Sequence, residues 1–206
     1  DTASFFMPVI LDIIDNPRGG LLSFVFLLTI FLMSNGINAI FSSFEYSYHI
    51  TINRSFFKQY FVASLVSIFL ALLLLLTIVI IVFSEQFIWD LSKEEFLSNG
   101  VFWVETIRSI IFIILVYFVI AILYYFGIKK GKSIRFFSIG ALVTTMLFVL
   151  TTYLFGVYIT NFSNYNELYG SIGALLILML YIWINSNLLL LGFELNATLK
   201  TLRLKE

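Results

Sequence analysis

Residues 171–195 read SIGALLILMLYIWINSNLLLLGFEL, and this run settles the class of the molecule. A bilayer's hydrocarbon core is about 30 Å thick and takes roughly 20 apolar residues as a helix, so the run is long and greasy enough to span it. It nevertheless holds Asn185 and Asn187 near its middle and Glu194 near its end. Polar and ionisable groups inside a membrane span are costly, so each requires a partner or a use.

Toward the N-terminus, four further runs have the same character: 21–41, 60–83, 107–126 and 137–158. Their length excludes a transmembrane barrel, whose strands need only about ten residues of alternating polarity. Composition agrees, with 61% hydrophobic and 12% charged residues among the 206, where a soluble domain carries about a quarter charged. The expected architecture is all-α, a polytopic membrane bundle of five transmembrane helices forming one domain over 21–199. Residues 1–20 are expected to be an interfacial segment and turn, because 4–14 is too short to span and Asn16-Pro17-Arg18-Gly19-Gly20 ends it. Residues 200–206 are expected to be a tail.

The formal charges cancel but are sorted along the chain. Arg54 and Lys58 follow the first span; Lys129, Lys130, Lys132 and Arg135 follow the third; Lys200, Arg203 and Lys205 follow the last. Cytoplasmic segments concentrate Lys and Arg, which puts these three inside, with Glu206, and leaves Asp1 outside. The intervening segments are acidic, notably Glu85, Asp90, Glu94, Glu95 and Glu105. Arg108 is an exception, one helical turn after Glu105, where the two can pair. The loop 84–106 mixes its acids with Phe87, Trp89, Phe102 and Trp103. It is expected to lie along the outer headgroup layer, a lid or partner-binding loop being the alternative.

Several chemistries are excluded. There is no cysteine, and a single histidine, His49, cannot build a histidine-rich metal cluster. No phosphate-binding glycine loop, Gly-x-Ser-x-Gly elbow or carboxylate cluster at metal spacing is present, so neither an enzyme nor a cofactor is expected. The basic loops are explained by orientation, and no nucleic-acid partner is expected. Both prolines precede the first span, so the paired interrupted helices of an inverted-repeat transporter are missing.

The polar residues of the last span divide by helical phase. Asn187 and Glu194 share one face, while Asn185, Gly192 and Asn196 fall on nearly the opposite one. The asparagines are candidates for a polar seam or for hydrogen bonds between helices, and Glu194 for a seam residue or an ion pair with a basic loop. In the first span Asn35 and Asn38 lie one turn apart around Gly36, which permits a close helix approach or a polar notch. Tyr48, Arg54 and Lys58 are candidate headgroup ligands or simple interfacial anchors. Gly36, Gly140, Gly170, Gly173 and Gly192 are candidate packing positions, where the absent side chain lets backbones approach.

The tail Tyr158-x-x-Asn161-Phe162-x-x-Tyr165-x-x-x-Tyr169-Gly170-Ser171-x-Gly173-Ala174, followed by Asn185 and Leu191-Gly192-Phe193-Glu194-Leu195-Asn196-Ala197, strongly resembles the YihY/BrkB family of bacterial inner-membrane proteins. Ser34-Asn35-Gly36 with Ala39, the Tyr48 to Arg54 spacing and Gly140-Ala141 add weaker matches. The chain departs from the family pattern at Glu45, Ile139 and Tyr181, where asparagine, proline and tryptophan are usual. The resemblance implies six spans with both termini cytoplasmic, of which the five here are a subset. It also implies the bacterial cytoplasmic membrane, a link to envelope integrity and serum resistance, and suggested transport or lipid translocation. Some members carry an old ribonuclease label, which nothing in this sequence supports. The expected function is to bind or move a lipid or other amphiphilic envelope component along a seam of Asn35, Asn38, Asn185, Asn187 and Glu194. A structural scaffold and a small-solute transporter are the alternatives. Expected partners are membrane lipids, and the small-residue faces permit a homo-oligomer.

Overall fold

A computed structural model describes residues 19–47, 55–93, 100–127, 135–161 and 171–203, and every element among them is an α-helix. These are α1 (Gly19–Ser47), α2 (Phe56–Lys93), α3 (Gly100–Gly127), α4 (Ile139–Asn161) and α5 (Ser171–Arg203). All five contain segments long and apolar enough to cross a membrane. No proline follows Pro17, so nothing breaks the backbone ladder that lipid demands be closed internally. Hydroxyls are closed the same way, each donating to the carbonyl one turn back: Thr29 to Val25 at 2.8 Å, Thr77 to Leu73 at 2.8 Å and Ser186 to Ile182 at 2.8 Å.

Consecutive helices pack on one another, and α1 also touches α3 and α5, which closes the circuit. Cross-helix contacts fix the directions. Ser34 meets Ser67 while the later Ser42 meets the earlier Gln59, so α1 and α2 are antiparallel. Thr152 meets Tyr181 while Gly140 meets Asn196, so α4 and α5 are too.

Burial is uneven along the bundle axis. Most of the core lies in the half nearer the Arg203 end: Phe41 and Phe44 on α1, Ala63 and Val66 on α2, Ile120 to Tyr124 on α3, Ala141 on α4, and Leu189, Phe193 and Ala197 on α5, with Ile37 and Leu70 nearer the middle and Val104 buried toward the Ser171 end. Apolar side chains face outward along the bundle, including Phe24, Leu28, Leu75, Phe112, Leu154 and Leu180 toward the Ser171 end. Burial is thus denser toward one end than toward the other.

Two expectations need correction. The 84–106 stretch is mostly helix rather than loop: α2 continues to Lys93 and α3 begins at Gly100, leaving only 94–99 between them outside the described residues. No proline or glycine stands between Phe83 and Gly100 to stop α2, and its Glu and Gln residues favour helix. Arg108 pairs not with Glu105 but with Glu85 across the α2–α3 contact, at 3.1 Å. Both side chains are about half exposed, so the pair contributes no more than about 1 kcal/mol. Glu85→Gln is accordingly expected to lower the melting midpoint of the detergent-purified protein by no more than about 4 °C.

The interfacial segment of 1–18, Tyr48, His49, Arg54, the basic cluster 129–132 and Gly170 lie outside the described residues. α5 continues as helix through the first residues of the expected tail, to Arg203.

Candidate functional site

The first four amides of any helix lack intrahelical partners, and where they are buried in the protein water cannot supply them. At the start of α4 the protein supplies its own. Ser138 caps the helix, its Oγ accepting from the Ala141 amide at 3.2 Å. Asn196 reaches over from α5: its Oδ1 accepts the Gly140 amide at 2.7 Å and its Nδ2 donates to Ser138 Oγ at 2.9 Å. A side chain on either facing glycine would forbid this approach. A Cβ on Gly140 would collide with the Gly192 carbonyl and lie 2.6 Å from Asn196 Nδ2, and one on Gly192 would overlap Thr144 Oγ1.

One turn further in, Tyr124 of α3 joins the same node. Its hydroxyl donates to the Leu189 carbonyl at 2.7 Å and lies 2.8 Å from Thr144 Oγ1, which in turn donates to the Gly140 carbonyl at 2.7 Å. Tyr124 stands edge-on to Phe44 and Phe193, whose rings stack at 4.2 Å. This node ties α1, α3, α4 and α5 together.

The second polar contact joins α1 to α2. Ser34 Oγ and Ser67 Oγ lie 3.2 Å apart and buried, and Gln59 Nε2 donates to Ser42 Oγ at 3.1 Å. Asn38 is half-buried, with its Oδ1 enclosed and without a hydrogen-bond partner among the described residues. Asn35 and Gly36 are exposed, and nothing lies within 4 Å of a Cβ placed on Gly36. The close approach expected at Gly36 is therefore absent among the described residues, because α2 packs against the Ser34 side of α1.

The third feature is an open groove between α4 and α5 toward the Ser171 end. It has a volume of about 460 Å³ and is lined by Thr152, Phe155, Gly156, Ile159, Ile177, Leu178 and Tyr181. That volume falls within the roughly 300–1,000 Å³ of small-ligand sites. The groove runs along the two helices from Ile159 and Ile177 to Thr152 and Tyr181, about 10 Å on α4 and about 6 Å on α5. There the two hydroxyls meet at 2.8 Å, and Thr152 Oγ1 is also 2.8 Å from the Phe148 carbonyl. One turn deeper on α5, buried Asn185 donates through Nδ2 to the Tyr181 carbonyl at 2.9 Å, and its Oδ1 has no hydrogen-bond partner among the described residues.

The polar residues of α5 do separate by phase. Asn185, Gly192 and Asn196 are buried against the bundle, while Asn187 and Glu194 are exposed on the far side. Asn187 donates from Nδ2 to its own helix, at the Trp183 carbonyl, 2.7 Å away. A single seam joining Asn35, Asn38, Asn185, Asn187 and Glu194 is thus not formed: helical phase sends them to three different surfaces. Gly173 is buried near the start of α5, and Lys58 is exposed beside Phe56, Phe57 and Phe61 at the start of α2. Among the described residues no group of three His, Cys, Asp or Glu side chains is placed to hold a metal.

Sequence reasoning missed Tyr124, Ser138, Thr144 and the Thr152–Tyr181 pair. Ser138 was open to detection, since a serine two residues before Gly140 at a span start is a capping signal. The hydroxyls of Tyr124 and Thr144 carry no such signal, because their partners lie on other helices.

A family model described as virulence factor BrkB matches residues 1–206. The ribonuclease-like protein YfkH of Bacillus subtilis (strain 168) is 31% identical over 191 residues, which cover 90% of this chain and 68% of YfkH. A UPF0761 membrane protein of Psychrobacter sp. (strain PRwf-1) is 35% identical over 77 residues, 37% of this chain and 14% of that protein. Another from Idiomarina loihiensis is 26% identical over 129 residues, 60% of this chain and 43% of that protein. The chain thus spans less than half the length of these two UPF0761 relatives. No solved structure matches it.

Proposed function

The chain belongs to the virulence factor BrkB family of bacterial membrane proteins, and from that premise we propose that it binds, and passes along its α4–α5 groove, a lipid or similar amphiphile of the bacterial envelope. The observation that carries this reading is the groove itself: its lining is mostly apolar, and Ile159 and Leu178 on it are exposed among other apolar side chains, which suits a guest already dissolved in the membrane. In this reading the protein resides in the cytoplasmic membrane with its Arg203 end inward, in keeping with the bias of Lys and Arg toward cytoplasmic segments. The groove then opens toward the outer leaflet. Lys58, with Arg54 and Tyr48 before it, meets headgroups at the opposite face, and Glu194 lies at that inner boundary.

Asn185 is the asparagine this proposal assigns to the path, one turn beyond Tyr181. Asn35, Asn38 and Asn187 stand on other surfaces and are not needed by it. The proposed role is non-enzymatic, and the ribonuclease-like name of YfkH describes that protein alone.

Gly156 offers the test. It lines the groove, and nothing lies within 4 Å of a Cβ placed on it, so the first carbon of a larger side chain meets no neighbour. Gly156→Phe is expected to fill the groove, keep the melting midpoint within a few degrees, and reduce co-purifying lipid and envelope protection several-fold. Unchanged lipid content in a folded variant would remove the groove from the function. A second reading, a scaffold without a ligand, is favoured by the hydrogen-bonded node around Tyr124 and Asn196. It predicts that Gly156→Phe has no phenotype while node variants lose stability and function together.

A further inference from the structure

We infer that two copies of this chain pair through the outer face of α5, with Asn187 of each bonded to Asn187 of the other. Helical spacing defines the face: Leu176, Leu180, Trp183, Asn187, Leu191 and Glu194 recur at steps of three or four residues, and all of them are exposed. Asn185, Leu189, Gly192 and Asn196 occupy the opposite side of the helix, buried against the bundle. Leu178 and Tyr181 of the groove lie about 180° and 120° round α5 from Asn187, so the face is separate from the groove.

Asn187 is out of place on such a face. It stands near the middle of the apolar span Leu175–Leu202, twelve residues from one limit and fifteen from the other. Polar side chains at that position almost always turn to the bundle interior or to a water-filled cavity, and between helices they serve as hydrogen-bonding glue. Here the side chain points outward among leucines and a tryptophan. Its Nδ2 donates to the Trp183 carbonyl at 2.7 Å, which uses one of the two amide protons. The second proton and the lone pairs of Oδ1 are left for a neighbour.

The partner follows from the chemistry of the carboxamide, which is its own complement. Two-fold pairing sets a residue of one copy opposite the same residue of the other. Copies inserted in the same direction carry Asn187 at the same depth, so each Oδ1 can accept from the Nδ2 of the other and both are satisfied together. A lone asparagine in an apolar seam of three-four spacing is also the device that fixes register and copy number in paired helices. An unlike partner would have to present a matching amide at that depth, and the polar groups of lipids lie at the headgroup layers instead. Glu194 is seven residues, or about 10 Å, nearer the basic end of α5, so the two glutamates stand at the edge of the contact.

The chain contains no cysteine, so single cysteines report the contact directly. Leu180→Cys and Leu191→Cys lie on the face on either side of Asn187; Ile182→Cys is also exposed but lies about 140° round the helix. Mild oxidation of membranes containing the full chain is expected to link the first two into dimers about fivefold faster than Ile182→Cys. Adding Asn187→Leu to Leu191→Cys is expected to slow linkage about tenfold, while Asn187→Gln, which keeps the carboxamide, stays within about twofold. The leucine variant is expected to keep the melting midpoint of the monomer, because Asn187 touches no other helix among the described residues. Equal rates at the three positions, or no dimer at any, would overturn the interface. A dimer that forms as fast with Asn187→Leu would overturn the role of Asn187. A photoreactive amino acid at Leu191 that attaches to lipid or to another protein, and not to a second copy, would overturn the choice of partner.

Discussion

Gly192→Ala should cost the bundle about 3 kcal/mol or more, although it adds a single methyl group to a helix and alanine is the better helix former. The added carbon overlaps Thr144 Oγ1, lies 2.6 Å from the Tyr124 hydroxyl, and lies 3.0 Å from Thr144 Cβ. None of these can step aside alone, because Thr144 is held to the Gly140 carbonyl and Tyr124 to the Leu189 carbonyl. The α4–α5 contact must therefore widen. Overpacking by itself costs about 1–3 kcal/mol, and each buried polar group left without its partner adds about 1–3 kcal/mol. The same change at Gly36, where nothing lies within 4 Å, should be neutral or stabilising by about 0.5–1 kcal/mol. Resistance of the two purified variants to unfolding by increasing SDS measures both. Combining Gly192→Ala with Thr144→Ala should recover part of the loss, since the overlapping oxygen is gone. Equal stability of the two glycine variants would show that α4 and α5 do not approach as closely as the structure has them.

The contrast between Gly192 and Gly36 marks how far the sequence could be read. The five helices were legible because lipid leaves a spanning chain almost no alternative to a helix, and a greasy run announces itself in one dimension. The two faces of α5 were legible for a related reason. Helical phase is a property of one helix, and it separates Asn185, Gly192 and Asn196 from Asn187 and Glu194 without knowledge of any neighbour. Which face would be covered, and by what, was not legible. Gly36 and Gly192 look alike as small residues among apolar ones, yet one faces open space and the other an α4 hydroxyl. The seam drawn through Asn35, Asn38, Asn185, Asn187 and Glu194 failed on this point, because it joined residues by polarity across helices whose mutual rotation the sequence does not contain. The groove was hidden for the same reason: Thr152, Gly156 and Tyr181 have ordinary neighbours in sequence and acquire meaning only when α4 and α5 are laid side by side.

The uneven packing gives the two halves of the molecule different tasks. Around Tyr124, Thr144 and Asn196 every hydroxyl and amide that joins two helices is met by a partner on another, so that half sets the relative positions of α3, α4 and α5. In the other half the same two helices flank the groove. Widening α4 from α5 at the node would change the groove about two turns away, so a node variant can lose lipid without any groove residue being touched. Gly156→Phe separates the cases, since it alters the groove and leaves the node as it was.

Asn196 offers the sharpest comparison between a polar and an apolar role for the node. Asn196→Leu is close in volume and better suited to hydrocarbon, and if the residue served packing alone it should be harmless. The structure predicts the reverse. The Gly140 amide would lose its acceptor, and Ser138 Oγ its donor, at a helix start where water is scarce. Loss of a cap costs about 0.5–2 kcal/mol and a buried unsatisfied donor about 1–3 kcal/mol, so Asn196→Leu should lose about 2–4 kcal/mol. Asn196→Asp keeps an oxygen in front of the Gly140 amide, can accept from the Ser138 hydroxyl, and places negative charge at a helix N-terminus, where the helix dipole favours it. It should therefore lose about 1 kcal/mol. The ranking, with aspartate tolerated better than leucine inside a membrane protein, is opposite to the one hydropathy gives. Unfolding of the two variants in SDS decides between them, and a leucine variant as stable as the parent would show that α4 does not depend on α5 for its cap.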